Sequence, residues 1–383
     1  MNFIERFQEL KALFSYEREV NIENTSLAIR PFQFHQIFVN PEVQHIQQTI
    51  SAPEFCSVSD DNVEENKTFT YTVFVRKGVV QTDKAILLLH GLNERSWEKY
   101  LPWAETLALK TGRAVILFPI AFHMNRTPGS WYNPRMILPY VNSRKEKCMG
   151  LDNSTFANLA LSSRLSENPV RFYISGKESV FNLWQLIKEI KSGQHTLFKE
   201  NTSIHIFAYS IGAFLAQVLL LSNPEKLTSE SRLFMFCGGS LFSRMDGNSR
   251  DIMDKECFRR LKDYFLEEFI RKGLGILKQK EDFIEKAFKS MLLSGKYRLY
   301  REHFFWENKD RIAAVTLKKD TVIPTLGVQE ALGEKCAGKV LEEIDFPYDY
   351  THQTPFPVHN RVMAEMVQQC FARVFDRAAA FLA

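Results

Sequence analysis

The sequence predicts an α/β fold, a mostly parallel sheet with helices on both faces and one inserted helical block. Three observations predict it. Short continuous apolar runs such as "AILLLH" (85–90) and "RAVILFP" (113–119) have the composition of strands buried on both faces. Segments with helical periodicity separate such runs, as the long crossovers of a parallel sheet require. Between about 240 and 309 the strands stop and only helical spacing remains, which reads as an insertion.

Residues 1–66 read as an irregular N-terminal extension, except that Phe3, Phe7, Leu10 and Phe14 recur at helical spacing. "SVSDDNVEENK" is a charged surface loop, and "TFTYTVFVRKG" (68–78) alternates like a strand. The strand at 85–90 precedes a helix carrying Trp97, Leu101, Ala104 and Leu107, and the strand at 113–119 follows it. Residues 120–172 have little periodicity. Ser175 and Glu178 have capping-box spacing, so a helix is expected from there, with Val180, Leu183, Trp184, Ile187 and Ile190 on one face. Next come "SIHIFA" (203–208), an apolar helix at 211–221 and "RLFMFC" (232–237).

In the inserted block, Phe258, Leu261, Phe265 and Phe269 mark one amphipathic helix, and Phe283, Ala287 and Met291 mark another. Alternation resumes with "RIAAVTL" (311–317), a helix near 325–333 and "KVLEEIDF" (339–346). A last helix carries Val362, Met366, Phe371, Val374 and Phe375. The expected organisation is an extension (1–66), a core (67–239 and 310–383) and a helical cap (240–309).

The bulk properties exclude several function classes. The chain has 383 residues and a net charge of +4 from 49 basic and 45 acidic residues, too near neutrality to support nucleic acid or an anionic membrane as a partner. No apolar run is long enough to span a bilayer, and the N-terminus has no secretory pattern. The six cysteines are scattered without a CxxC pair, so they read as reduced core thiols rather than zinc ligands or a redox pair, and the expected location is cytoplasmic. Thirty-two Phe residues imply a large aromatic core or apolar pockets. There is no Walker A loop, no HExxH and no GxGxxG after a strand.

Ligand sites in open α/β sheets lie beyond the carboxyl ends of the strands. The polar residues at those ends are His90-Gly91-Leu92-Asn93, then Ser210, then Asp320 in "LKKDTVIP", then His352 in "YDYTHQTPFP". Serine, aspartate and histidine are the types needed for a nucleophile, an orienting acid and a proton-shuttling base. Asp349 competes as the acid and His359 as the base. His90 precedes the candidate oxyanion donor and reads as structural. Leu92 and Ile211 follow the first and second of these strand ends, where their backbone N–H groups could face an oxyanion. Candidate pocket residues are Asn93, Tyr209, His123, Arg126 and Trp131. Arg126, Arg135 and Arg144 read as solvated, the alternative being that one of them pairs with an anionic substrate group.

On "LLLHGL", "AYSIG", "KKDTVIP" and the late His352, the chain resembles the α/β-hydrolase superfamily over about 67–239 and 310–383. The resemblance implies that Ser210 is the nucleophile, Asp320 the acid and His352 the base, with the Leu92 and Ile211 amides as the oxyanion hole. It also implies a cap at 240–309. One departure is Ala208, which stands where the G-x-S-x-G elbow has its first glycine. The implied function is a serine hydrolase cutting a carboxylic ester or a related acyl bond of a small-molecule substrate, needing no cofactor and no metal; the Phe-rich helices of the cap either favour a hydrophobic acyl group or pack on the core. A peptidase, an acyltransferase and a non-catalytic binding protein are the alternatives. Nothing in the sequence sets the oligomeric state.

Overall fold

The computed structural model describes residues 3–37, 56, 59–148, 150–273, 281–358 and 363–383. Among them, nine strands form one sheet: β1 (Val20–Asn21), β2 (Leu27–His35), β3 (Thr68–Arg76), β4 (Thr82–Leu89), β5 (Ala114–Leu117), β6 (Phe198–Tyr209), β7 (Leu233–Phe236), β8 (Ile312–Leu317) and β9 (Leu341–Ile344). Their spatial order is β1-β2-β3-β5-β4-β6-β7-β8-β9. The first three strands and the β3–β5 pair run antiparallel. From β5 through β9 every neighbouring pair is parallel. This is the α/β-hydrolase fold, and it brings the carboxyl ends of β4, β6, β7 and β8 to one edge.

The helices, in chain order, are α1 (Phe3–Leu13), α2 (Glu64–Lys67), α3 (Leu101–Thr111), α4 (Pro134–Lys147), α5 (Leu159–Glu167), α6 (Val170–Lys191) and α7 (Ile211–Ser222). After β7 come α8 (Lys255–Asp263), α9 (Ile270–Lys272), α10 (Phe283–Leu292) and α11 (Arg298–Glu307). A wider π-helical turn, Tyr264–Phe269, joins α8 to α9. The remaining helices are α12 (Thr325–Leu332), α13 (Glu334–Val340) and α14 (Ala364–Leu382).

The apolar runs are buried on both sides because successive strand side chains point to opposite faces. Ala85, Leu87 and Leu89 of β4, with Ile204, Ile206 and Ala208 of β6, join the core under α6, α7 and α10. Ile86, Leu88, Phe207 and Tyr209 join the opposite core, under α1, α3 and α14. Each fully buried Leu, Ile or Phe contributes roughly 1.5–3 kcal/mol relative to exposure. That burial is why strands with no alternation of polarity are stable here. Aromatic side chains from the stretch between β7 and β8 are part of the same core: Phe265 and Phe269 pack edge to face on each other and against Phe288.

The structure differs from the sequence expectation in four places. Residues 20–35, within the segment read as irregular, supply β1 and β2; Pro31 sits inside β2 opposite Thr72 and disguises it. The capping-box expectation is incorrect: α6 begins at Val170, after Pro169, and Ser175 lies inside it, its hydroxyl donating to the Phe172 carbonyl. Proline before the first turn is compatible with a helix start, and buried Phe172, Tyr173 and Ile174 hold the extra turn in place. Helices α4 and α5 occupy the stretch read as aperiodic, and α4 contains Pro139. Helix α11 was hidden by its charges; Arg301 on it is fully buried, donating to the carbonyls of Ala331, Ser290 and Glu330.

Candidate active site

Ser210 stands between β6 and α7 with φ 56° and ψ −124°, backbone angles that a non-glycine residue rarely adopts. Such strain recurs at this edge. Asn93 after β4, Phe122 and Met124 after β5 and Cys237 after β7 also have positive φ. The tight turn is possible because two glycines let backbones approach. A Cβ at Gly212 would stand 2.7 Å from the His90 carbonyl oxygen. A Cβ at Gly238 would stand 2.6 Å from the Ala213 Cβ and 2.7 Å from the Ser210 carbonyl oxygen. Ala208 is completely buried in β6, paired with Leu89 and Met235, so its methyl group is part of the core. The clearances the elbow depends on are therefore at Gly212 and at Gly238, which the sequence motif did not single out.

Three side chains from three strand ends form one hydrogen-bonded chain. The Ser210 hydroxyl lies 2.7 Å from Nε2 of His352, and Nδ1 of His352 lies 2.7 Å from Oδ2 of Asp320. A carboxylate beside Nδ1 requires the proton on that nitrogen, which leaves the Nε2 lone pair facing the hydroxyl. Oδ1 of Asp320 accepts the backbone N–H groups of Val322 and Ile323, both at 2.9 Å. Aspartate is fixed by the turn it begins, and the histidine is fixed by the aspartate. The Tyr209 phenol adds a further constraint, donating to the His352 carbonyl while its ring stacks beneath the imidazole at 5.4 Å. Ser210, Asp320 and His352 are each at most 5% exposed, so the chain of bonds is shielded from bulk water. Asp349 is exposed and is not the partner of His352. His359 lies outside the described residues.

The loop after β4 is rigid. The phenol of Tyr100 accepts the Gly91 N–H, and His90 bridges from Gly91 to the neighbouring loop, donating to the Gly91 carbonyl and accepting the Ile120 N–H. Accepting the Ile120 N–H requires a neutral imidazole, and burial pushes the His90 pKa well below its usual value. Leu92 is held immediately beyond this brace. Ile211 is the first residue of α7, so its N–H has no carbonyl within the helix to bind. The helix N-terminus adds a partial positive charge beside Ser210.

Two small cavities of about 50 Å³ each adjoin this loop. Leu92, His123, Phe172 and Ser175 line both. One continues between Ile211, Phe214, Val218 and Phe288; the other is lined by Asn93, Trp131 and Arg164. The Arg164 guanidinium lies 4.0 Å above the Trp131 ring. His123 donates from Nδ1 to the Ala121 carbonyl, and burial lowers its pKa to about 4, so it is neutral. Of the other candidate pocket residues, Tyr209 is in the core below His352. Arg126 is fully buried and held by Asn182, Glu178 and the carbonyls of Asn66 and Pro119, where it braces the loop after β5. Neither Arg126 nor Arg144 is the solvated arginine the sequence suggested: Arg144 pairs with the fully buried Asp254.

Two chain segments meet over the site. Asn93 donates to the carbonyls of Ala157 and Asp251. Thr155 and Asn158 donate to the carbonyls of Arg250 and Ser249, and Gln353 donates to the Ser249 hydroxyl. The segments 153–158 and 249–254 are thereby tied to each other, to the loop after β4 and to the His352 loop. None of these ties could be read from spacing, because each joins residues far apart in sequence.

Among solved structures, the fold is similar to a carboxyl esterase from the fungus Tuber melanosporum, with 9% identity over 99% of this chain and 96% of that one (TM-score 0.45). A bacterial heroin esterase has 12% identity over 99% of this chain and 89% of that one (TM-score 0.48). An esterase from Pyrobaculum calidifontis has 11% identity over 99% and 90% (TM-score 0.46). No curated protein matches the sequence. The model of a family of unknown function, DUF6051, matches residues 1–383, and the chain belongs to that family.

Proposed function

We propose that the protein is a serine hydrolase that cleaves a carboxylic ester or a related acyl bond. Ser210 attacks the carbonyl carbon while Nε2 of His352 takes its proton. The amides of Leu92 and Ile211 stabilise the oxyanion that develops. The tetrahedral intermediate collapses as the imidazolium returns the proton to the leaving alcohol, and an acyl group remains on Ser210. Water then repeats the sequence and releases the acid. Asp320 keeps the imidazole in the tautomer that can accept a proton and stabilises its cation. The inserted block 240–309 contributes to the enclosure through Phe288 and the strap at 249–254.

The observation that carries this reading is the unbroken bonding from the Ser210 hydroxyl through His352 to Asp320, two contacts of 2.7 Å in a buried setting. A surface serine capping a helix would need neither partner. The test is turnover of a chromogenic acetate or butanoate ester by the wild type and by Ser210→Ala. Loss of at least about 10⁴-fold in kcat with an unchanged melting temperature is expected. Equal turnover by the two proteins would end the proposal.

A further inference from the structure

Proton transfer decides which side of the site holds which half of the substrate. The base must reach the leaving oxygen to protonate it, so the alcohol lies on the His352 side. The carbonyl oxygen faces the Leu92 and Ile211 amides, and the acyl chain extends from the carbon between them.

The cavities divide along the same line. The one bordered by both Leu92 and Ile211 is walled by Ile120, Phe172, Phe214, Leu215, Val218 and Phe288, and His352 is not part of it. Its polar border is His123, Ser175 and Lys177: His123 donates to the Ala121 carbonyl, Ser175 to the Phe172 carbonyl, and Lys177 is paired with Asp282 at 2.6 Å. At about 50 Å³ it is short, with room for only a few water-sized groups. Phe288 closes it, packed against Phe214 at 5.6 Å and Tyr173 at 5.0 Å. The cleft bordered by His352 is of another kind. It measures about 520 Å³, and its walls include Asn153, Asn248, Ser249, Thr321, Thr351 and Gln353, with neither Leu92 nor Ile211 among them. Arg250, Lys255 and Lys319 line it together with a single carboxylate, Asp152.

We infer that the substrate is the ester of a short apolar acid with a polar, hydroxyl-rich alcohol of the polyol class. This rests on the reading of Ser210 as nucleophile and His352 as base. A long acyl chain has no space beyond Phe288. A long alkyl alcohol would strip water from the charged groups that line the cleft, Asp152, Arg250, Lys255 and Lys319, and desolvating a charge without a partner is costly.

The test compares kcat/KM by pH-stat titration for glyceryl butanoate, glyceryl octanoate and octyl butanoate, with fluorophosphonate labelling of Ser210 run in parallel. Glyceryl butanoate is expected to exceed glyceryl octanoate by about 100-fold and octyl butanoate by about tenfold. Phe288→Ala should raise the octanoate-to-butanoate ratio at least about tenfold. Because Phe288 also packs in the core, Val218→Phe provides the opposite perturbation, lowering butanoate relative to acetate. Labelling of Ser210 together with a preference for octanoate or for octyl butanoate overturns the substrate assignment and leaves the triad intact. No labelling and no turnover of any of the esters overturns both.

Discussion

Replacing Asp320 with asparagine changes one atom in the site and inverts one hydrogen bond. Oδ1 of Asp320 accepts two backbone N–H groups at 2.9 Å, and Oδ2 accepts from Nδ1 of His352 at 2.7 Å. The asparagine oxygen is expected to keep both backbone bonds, because the turn offers donors only. Its NH₂ group must then face Nδ1. A donor there requires a lone pair on Nδ1, which moves the imidazole proton to Nε2. The Ser210 hydroxyl, 2.7 Å from Nε2, then meets an N–H and has no base. The cost to the fold is one hydrogen bond rearranged, about 1 kcal/mol. The cost to catalysis is expected to be about 10⁴-fold in kcat, or about 5 kcal/mol of barrier. Ester turnover measured beside a thermal melt separates the two effects. Asp320→Asn turnover within tenfold of wild type, in a folded protein, would refute the assigned role.

Further predictions follow from the same geometry. Gly212→Ala pushes a Cβ to 2.7 Å from the His90 carbonyl oxygen; unfolding stability should fall by about 1–3 kcal/mol, and turnover of the folded fraction by about 100-fold as the elbow shifts. Tyr209→Phe removes the phenol bond to the His352 carbonyl; kcat should fall up to about tenfold with little change in KM, matching a loss of about 0.5–1.5 kcal/mol. Burial lowers the pKa values of His90, His123, His195 and His205, the last three to about 4. The unfolded chain therefore binds protons that the folded chain does not. Stability should be full above about pH 6.5 and decline as pH falls toward about 4, His123 alone accounting for about 3 kcal/mol when fully titrated. Urea midpoints at about pH 7.5 and 5 check this, and equal midpoints would contradict it.

What was legible in the sequence is what local chemistry determines. Strands such as Ala85–Leu89 declared themselves because two-sided burial demands unbroken apolar runs. The convergence of Ser210, Asp320 and His352 was legible because each lies beyond the carboxyl end of a strand, where an α/β sheet opens to ligand. Ala208 departs from the motif, but its methyl group is buried in the core and the close approaches fall at Gly212 and Gly238. What stayed hidden depends on contacts distant in sequence. Pro31 disguised β2, and the charges of α11 disguised a helix whose Arg301 is buried among carbonyls. Phe172 and Phe288 wall one cavity although nothing in their own segments marks them as neighbours. Tyr209 occupied a pocket-like position in the motif, yet strand alternation turns it to the opposite face, beneath His352.

The central claim is that Ser210 is a nucleophile activated by His352. Intact-mass and peptide analysis after treatment with a fluorophosphonate probe tests it most directly. The account predicts a single adduct on the peptide carrying Ser210, absent in Ser210→Ala, with ester turnover falling in step with labelling. A folded protein that takes up no probe, or takes it up on another residue while Ser210→Ala remains active, would contradict it.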